Sequence, residues 1–307
     1  MKVPLCKYLF STFLVIAVTA CVASGRIPES GDVWAANSSR PIASIALHPR
    51  ALMRDAAFGP LLRRVLDLLH RSIAVHPAGV TTLSAFEGCD ELRIDAWDWD
   101  ARDAIVTLVG VPSDIDPARV VDASGHLVWR TASSLGTAET FERSASVEES
   151  GTSALTGGAT LVATEHRTWF IATGEHVSKT LEQPEMRRKM AKKKLDSSAL
   201  ATLTLSGAAL VAHEPRLRTG LLAPIGRHLV DATASLQSSA KPVVSLAFRY
   251  SDHEATAAAA TALRDVVHAF AASPKPLARS RVTETPLVAT LDIPLPDEIA
   301  DAFRLVP

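Results

Sequence analysis

The chain has 307 residues, of which 47% are hydrophobic and 21% are charged, an ordinary globular composition. These proportions exclude a disordered tail, a collagen-like fibre and a protein with many membrane spans. Because 32 Lys and Arg residues are balanced by 33 Asp and Glu residues, no basic field indicates a nucleic-acid partner. Aromatic residues make up only 5% of the chain, so platforms for stacking bases are also few.

The first residues have the pattern of an export signal. Lys2 and Lys7 form a short positive segment, and residues 8–20 are uncharged and mostly apolar. As a helix this apolar segment would span about 20 Å, which is shorter than the roughly 30 Å hydrocarbon core of a bilayer. A signal peptide over residues 1–20 is therefore favoured over a membrane-spanning helix.

The apolar segment ends in Val18-Thr19-Ala20-Cys21. This tetrapeptide resembles the lipobox of bacterial lipoproteins, in which a branched apolar residue and two small residues precede a cysteine. The resemblance covers about the first 21 residues, and the family more often has Leu where Val18 stands. It implies that the Cys21 thiol receives a diacylglyceryl group and that cleavage just before Cys21 frees an amine that is then acylated.

Lipidation would hold the protein at a membrane. At about 0.8 kcal/mol per buried CH₂, two or three acyl chains anchor a protein essentially permanently. Because Val22 and not Asp follows Cys21, the resemblance to lipoprotein sorting in Gram-negative bacteria favours the outer membrane over the inner one. Two alternatives remain open. One is ordinary secretory cleavage after Ser24, which gives a soluble periplasmic or secreted protein, and the other is an uncleaved anchor over residues 8–25.

The cysteine count agrees with export. Cys6 lies in the signal peptide and Cys21 is the predicted lipidation site, so only Cys89 remains in the mature chain, and no internal disulfide can form. We expect Cys89 to be a small buried residue. The neighbouring Glu87 and Asp90 disfavour the thiolate that a nucleophile requires.

The sequence predicts five segments. They are a signal peptide at 1–20, a flexible tether at 21–40, a first α+β unit at 41–183, a basic linker at 184–198 and a second α+β unit at 199–307. A tether of this length has an r.m.s. reach of about 25 Å. Neighbouring strands mixed with helices favour an α+β fold with mainly antiparallel sheets.

The expected elements of the first unit follow from apolar periodicity. They are a strand at 42–47, helices starting at Arg50 and at Pro60, paired strands at 92–97 and 104–111, a short helix at 117–121, a strand at 127–131, a second hairpin at 160–172 and a helix at 175–183. The polar segment 132–159 is longer than a loop inside a compact domain usually is, so it hides weak strands or is mobile.

The second unit is predicted in the same way. Its expected elements are a strand at 200–211, a helix at 215–232 interrupted at Pro224, a strand at 243–250, an Ala-rich helix at 253–272, a strand at 287–293 and a last helix at 297–305. Ser251 and Asp252 can cap the Ala-rich helix, because their side-chain oxygens accept backbone N–H bonds of the first turn.

Two short patterns recur in the two halves. His48-Pro49-Arg50 parallels Glu214-Pro215-Arg216, and the strand segment 106–108 followed by Ser113-Asp114 parallels 244–246 followed by Ser251-Asp252. We interpret the halves as possible diverged copies of one α+β unit. Chance similarity between Ala-rich strand–helix segments is the alternative.

An acidic hairpin tip is the most suggestive local feature. Asp95, Asp98, Asp100 and Asp103 could supply oxygen ligands to Ca²⁺, which accepts six to eight of them. The segment lacks the Gly and the distal Glu of a calcium loop, and Asp95 and Asp98 should lie on opposite faces of a strand. A solvated acidic turn is therefore favoured over a metal site, and no cofactor is predicted.

A basic run offers a weak candidate for membrane contact. Its cations are Arg187, Arg188, Lys189, Lys192, Lys193 and Lys194. Beside an anionic phospholipid surface each cation contributes about 1 kcal/mol to binding. The alternative is a solvated linker or an exposed helix.

The sequence contains no HExxH or CxxC motif, no GxSxG elbow and no glycine-rich phosphate loop, the common local signs of metal, nucleophilic or nucleotide chemistry. We therefore expect a membrane-anchored envelope lipoprotein that acts without catalysis, in binding or assembly, with an envelope protein or ligand that the sequence does not identify. The alternatives are a periplasmic or cell-surface hydrolytic enzyme and a Ca²⁺-dependent binding or adhesion module.

Overall fold

A computed structural model describes two compact units. The described residues are 41–56, 58–60, 62–63, 82–98, 103–121, 126–135, 138–143, 160–164, 166–173, 199–237, 243–270 and 279–294, together with 181, 183, 185, 187 and 190. Of the described residues, the first unit contains 41 and those within 46–54 and 62–195, and the second contains those within 42–45, 55–61 and 196–307. Both are built mainly from antiparallel strands with a few helices, so the expected α+β class is confirmed.

The first unit has a sheet of antiparallel strands. Its elements are β1 (Ala43–Leu47), α1 (Pro49–Arg54), α2 (Thr82–Gly88), β2 (Glu91–Ala96), β3 (Ala104–Val109), a 3-10 turn (Pro117–Arg119), β4 (Trp129–Leu135), β5 (Ala138–Arg143), β6 (Thr160–Thr164) and β7 (Thr168–Thr173). The strands lie in the order β1-β2-β3-β7-β6-β5-β4, and every pair from β2 to β4 is antiparallel. Strand β1 is shared, since Ile42–Ile45 belong to the second unit.

Both faces of the first unit's sheet are covered. All six residues of β7 are buried, although alternate residues of a strand point to opposite faces. On one face the fully buried Leu181 packs in a cluster with Ile105 and Phe170. On the same face the buried Arg93 guanidinium pairs with Glu91 and donates to the carbonyl of Met190 at 2.9 Å.

The second unit is a smaller antiparallel sheet with helices. Its elements are β8 (Ala199–Ser206), α3 (Gly207–His213), two 3-10 turns (Pro215–Leu217 and Gly220–Leu222), α4 (Ala223–Gly226), β9 (Leu229–Gln237), β10 (Val243–Tyr250), α5 (His253–Phe270), β11 (Arg281–Thr285) and β12 (Val288–Pro294). The strand order is β11-β12-β10-β9-β8, with each neighbouring pair antiparallel.

Helix α5 packs on one face of this sheet. Its buried side chains are mostly small (Ala255, Ala259, Ala260, Ala262 and Leu263), and they lie in one cluster with Leu246, Phe248 and Leu291 of the strands. Alanine favours the helix and lets it approach the sheet closely. The Tyr250 hydroxyl donates to the carbonyl of Ile225 at 3.1 Å, which ties α4 to the end of β10.

Several predicted elements are confirmed within a few residues. They are β1, the β2–β3 and β6–β7 hairpins, β10, β12 and helix α5. The predicted helix at 297–305, most of the one at 175–183 and most of the one starting at Pro60 lie outside the described residues.

Two expectations are wrong. The strand predicted at 200–211 ends at Ser206, because Gly207–His213 is helical; Ala and Leu are strong helix formers. The helix predicted to reach residue 232 gives way to β9 at Leu229, where polar Asp231, Thr233 and Ser235 alternate with apolar residues at the strand period. By contrast, the expectation that the polar segment 132–159 hides strands is confirmed where the structure describes it, since it contains the end of β4 and all of β5. Strand β11 was not predicted.

The predicted cap of α5 is confirmed and makes stability depend on pH. The Asp252 carboxylate accepts the N–H of Ala255 at 2.8 Å, and this bond lowers the pKa of Asp252 below its ordinary value of 3.8. Because the folded-state pKa is depressed, the stabilisation is complete above the unfolded-state value and is lost as the pH falls through the folded-state value.

We therefore expect Asp252→Ala to lower the urea midpoint of unfolding at neutral pH, with a difference from the wild type that narrows as the solution is acidified below the ordinary carboxyl pKa. The measurement is a series of urea unfolding curves followed by far-ultraviolet circular dichroism. Asp252→Asn is the control, because the amide oxygen still caps the helix but does not titrate. If the urea midpoint of Asp252→Ala stays below that of the wild type by the same amount at every pH, the stabilisation does not come from the ionised carboxylate.

Candidate functional site

The second unit leaves one broad sheet face for a partner. Helices α3, α4 and α5 all contribute apolar side chains to the cluster on the other face. The alternate residues, which point away from that cluster, are Thr202, Thr204, Ser206, Asp231, Thr233, Ser235, Ser245, Ala247, Arg249, Arg281, Thr283, Thr285, Val288, Thr290 and Asp292. We call this surface the hydroxyl face, because Ser and Thr make up most of it.

Strand register aligns the hydroxyl face in rows across the sheet. In one row Thr202, Ser235, Ser245, Asp292 and Arg281 lie opposite one another on successive strands. Neighbouring strands are about 4.8 Å apart, and residues two apart on one strand are about 6.8 Å apart. The hydroxyls therefore form a regular two-dimensional array.

Some of these polar groups bond to each other across strands. The hydroxyls of Thr204 and Thr233 share a hydrogen bond of 3.1 Å, and the Ser245 hydroxyl donates to the Asp292 carboxylate at 2.5 Å. A hydroxyl has one donor and two acceptor sites, so each retains hydrogen-bonding capacity after one such bond. The array can thus bind a further polar group without breaking its own bonds.

The charges of the hydroxyl face are balanced. The Arg249 guanidinium donates one hydrogen bond to each carboxylate oxygen of Asp231. This hydrogen bonding raises the pKa of Arg249 above its ordinary value. Arg281 lies directly opposite Asp292 in the strand register. With cations and anions equal in number, the face carries no net charge to select a strongly charged partner.

The exposure of this face contrasts with the first unit. Every side chain of the hydroxyl face is half-buried or exposed, whereas Thr107 and Thr168 in the first sheet are buried. Thr107 and Thr168 are therefore covered within the first sheet, whereas the threonines of the hydroxyl face keep part of their surface accessible.

The first unit carries a smaller polar groove. It has a volume of about 400 Å³ and lies between α1, which contributes Arg50, Met53 and Arg54, and α2, which contributes Ser84, Glu87 and Gly88. Both sets have the spacing i, i+3, i+4 and so share one side of their helix. Arg50 donates to the Asp90 carboxylate at 2.7 Å, so part of the groove's positive charge is neutralised by the chain itself.

Cys89 lies next to this groove and has a structural role. Its side chain is fully buried, and its thiol donates to the carbonyl of Phe86 at 3.2 Å. Burial, the largest cause, raises the pKa of the Cys89 thiol to about 12. A thiol is a poor nucleophile because only the thiolate attacks. The expectation that Cys89 is a small buried residue is confirmed.

We expect the native protein to show negligible maleimide labelling of Cys89 at mildly alkaline pH and full labelling in denaturant, because unfolding exposes the thiol and restores its ordinary pKa. Labelling is counted by intact-mass spectrometry on the Cys21→Ser form, in which Cys89 is the thiol under test. Rapid labelling without denaturant would show that the thiol is reactive in the folded state.

The acidic hairpin tip does not assemble into a metal site among the residues that the structure describes. Asp95 is buried in β2, and the Asp98 carboxylate accepts the backbone N–H of Asp103 at 2.9 Å. The Asp98 carboxylate therefore stabilises the turn, while Asp100 lies outside the described residues.

The structure places one cation of the basic run. Arg187 is buried, its guanidinium donates to the carbonyl of Leu181 at 2.5 Å, and burial lowers its pKa. Arg187 is thus turned into the first unit and does not present its charge to a surface. The other five candidates, Arg188, Lys189, Lys192, Lys193 and Lys194, lie outside the described residues, as does Cys21.

The hydroxyl face was not identified from the sequence, although a signal for it exists. In the segments 202–206 and 231–235 polar residues alternate with apolar ones. This period of two indicates a strand with one side in the core and the other facing solvent. Which strands lie side by side is decided by pairing between distant segments, so the array itself was not visible.

Comparisons with known proteins return no relatives. No family model matches the chain, and neither a curated protein nor a solved structure is significantly similar to it. Within the described part of the chain, no helix is both long and apolar enough to cross a bilayer.

Proposed function

We propose that this protein is a lipoprotein of the bacterial envelope, anchored through Cys21, that binds a partner without catalysis through the hydroxyl face. The anchor is supported by the lipobox-like residues Val18 to Cys21 after an uncharged apolar segment. The outer membrane is the favoured location because Val22 follows the cysteine.

The hydroxyl face carries the binding part of the proposal. It is a broad, half-exposed array of hydrogen-bond donors and acceptors on a rigid sheet. Rigid side chains that are already ordered lose little entropy when a partner binds. The ion pair between Arg249 and Asp231 orders two of its charged side chains.

We further infer that the two units are diverged copies of one α+β unit. In the first, β1, β2, β3, β7 and β6 lie side by side in that order, and in the second β8, β9, β10, β12 and β11 do. The spatial order of the strands is the same in both units. Three strands that are consecutive in the chain lie side by side, and a hairpin follows with its second strand (β7 or β12) next to them and its first strand (β6 or β11) beyond. The β4–β5 hairpin of the first unit stands in the chain where the second unit has α5.

The anchor is tested by metabolic labelling with palmitate and membrane fractionation. We expect a labelled band in the outer-membrane fraction for the wild type, and neither label nor membrane association for Cys21→Ser, which has no thiol to acylate. Cys6→Ser is the matched control and should label as the wild type does. An unlabelled, soluble wild type would favour ordinary secretion instead.

The binding surface is tested by photo-crosslinking in cells. A photoreactive amino acid replaces Thr233 at the centre of the hydroxyl face or, as the control, Thr261 on the exposed side of α5. We expect an adduct of defined mass at position 233 and none at 261, because only the former lies against the partner. Adducts of equal yield at both positions, or none at position 233, would contradict the assignment of the hydroxyl face.

A further inference from the structure

Two exposed leucines lie in connections of the second unit. Among the described residues three large apolar side chains are exposed: Leu127 at 49%, Leu221 at 60% and Leu287 at 46%. Leu127 belongs to the first unit, and the other two belong to the second. Single exposed apolar side chains are common on soluble proteins, so the surroundings of each leucine decide whether it indicates a contact.

Ile42, near the first described residue of the chain, lies at one end of the second unit. The N–H of Ser206, the last residue of β8, donates to the carbonyl of Ile42 at 2.8 Å. Ser206 pairs with Asp231 near the start of β9, and Leu229 pairs with Tyr250 at the end of β10. The chain therefore passes into the second unit at this end of its sheet.

Both leucines belong to connections at the same end. Leu287 lies in the turn between β11 and β12, and its carbonyl accepts the N–H of Tyr250 at 2.9 Å. Leu221 lies in the connection 207–228, which leaves the sheet after Ser206 and returns to it at Leu229. We call these two connections, together with Ile42, the tether end.

Leu221 is exposed because its neighbours in the connection pack inward against the apolar cluster. Leu217, Leu222 and Ile225 lie in or against the apolar cluster under α5, which leaves Leu221 on the outside of the connection. Gly220 has φ +77°, and a side chain built there would meet nothing within 4 Å. The backbone next to Leu221 is thus open on its outer side.

Arginines flank the exposed leucine. Arg216, Arg218 and Arg227 are all exposed, and Arg218 is held by bonds to the carbonyls of Val211 and Ala212 at the end of α3. Arginine keeps its charge and forms two-pronged hydrogen bonds with phosphate. Its long apolar stem also lets it lie in a membrane interface while its charged group stays hydrated.

Carboxylates at the tether end balance much of this charge. Glu214 accepts the N–H of Arg216 at 3.1 Å and Asp252 caps α5, so both are turned into local backbone bonds, while Glu254 is exposed. Net charge therefore contributes little, and the apolar side chains carry most of the contact. This balance fits a phospholipid surface better than it fits a strongly charged macromolecule.

We propose that the tether end rests on the phospholipid surface to which the protein is anchored, with Leu221 and Leu287 among the acyl chains and the arginines at the headgroup phosphates. The inference rests on the proposed lipid anchor. Cys21 precedes Ile42 by 21 residues, and Ile42 lies at the end of the second unit's sheet that carries both leucines. A flexible tether of this length, with an r.m.s. reach of about 25 Å, would keep this end near the membrane.

The test measures how deep each leucine position lies in a bilayer. The mature lipoprotein is reconstituted in vesicles of phosphatidylcholine and phosphatidylglycerol, with an environment-sensitive fluorophore on Leu221→Cys, Leu287→Cys or Gln237→Cys. Buried Cys89 does not compete for the label, because its pKa is about 12. Gln237→Cys is the matched control, since its wild-type side chain is also exposed but lies at the opposite end of the same sheet.

We expect spin-labelled acyl chains to remove most of the emission at positions 221 and 287, with a blue shift, and to leave position 237 unchanged. Emission that resists quenching at both test positions, or equal quenching at all three, would overturn the proposal. When Arg227→Gln is added to the labelled Leu221→Cys protein, quenching at position 221 should weaken. An arginine near an anionic surface contributes about 1 kcal/mol, or about fivefold in binding.

A failure of the anchor is distinguishable from a failure of this contact. If palmitate labelling shows no acylation, the proposed anchor fails, and the same labelled proteins are then mixed with preformed vesicles. Quenching at positions 221 and 287 in that mixture would still support the contact. Acylation without quenching would retain the anchor and reject the seating of the tether end.

Discussion

The antiparallel register of the second unit is the constraint from which its surfaces follow. Since successive residues of a strand point to opposite faces, one register places Leu246 and Phe248 under α5 and places Ser245 and Ala247 on the other side. A shift of one residue would bury the hydroxyls and expose the apolar set. The core and the hydroxyl face are therefore specified together.

The two units use a similar strand order for different purposes. In the first, side chains on both faces of the sheet are buried, and even the Arg93 guanidinium is enclosed by Glu91 and the carbonyl of Met190. In the second, α5 supplies its alanines to one face only. Buried charge is costly unless it is paired, which explains why the first unit needs this internal pairing. The hydroxyl face is hydrated and has no such need.

The two proposals assign different roles to two surfaces of the second unit. The tether end carries the exposed leucines and the arginines, while the hydroxyl face extends along the strands away from those connections. A contact at the end of a sheet leaves the sheet's face free. One unit could then hold its position at a membrane and present a polar array to the surrounding envelope.

Sequence by itself determined the local elements with strong periodicity. The hairpin partners β2 and β3 and the capped helix α5 follow from neighbouring residues, because alternation and caps are local properties. The proposed lipidation at Cys21 likewise rests on the local sequence alone. Only the tertiary structure shows that Arg187, a residue of the basic run, is buried in the first unit. The same holds for the hydroxyl face, whose rows join strands distant in the chain, and for the tether end, which depends on the bond between Ser206 and Ile42. The physical reason is that burial and strand pairing are contacts between remote segments, and no local pattern records which segments meet.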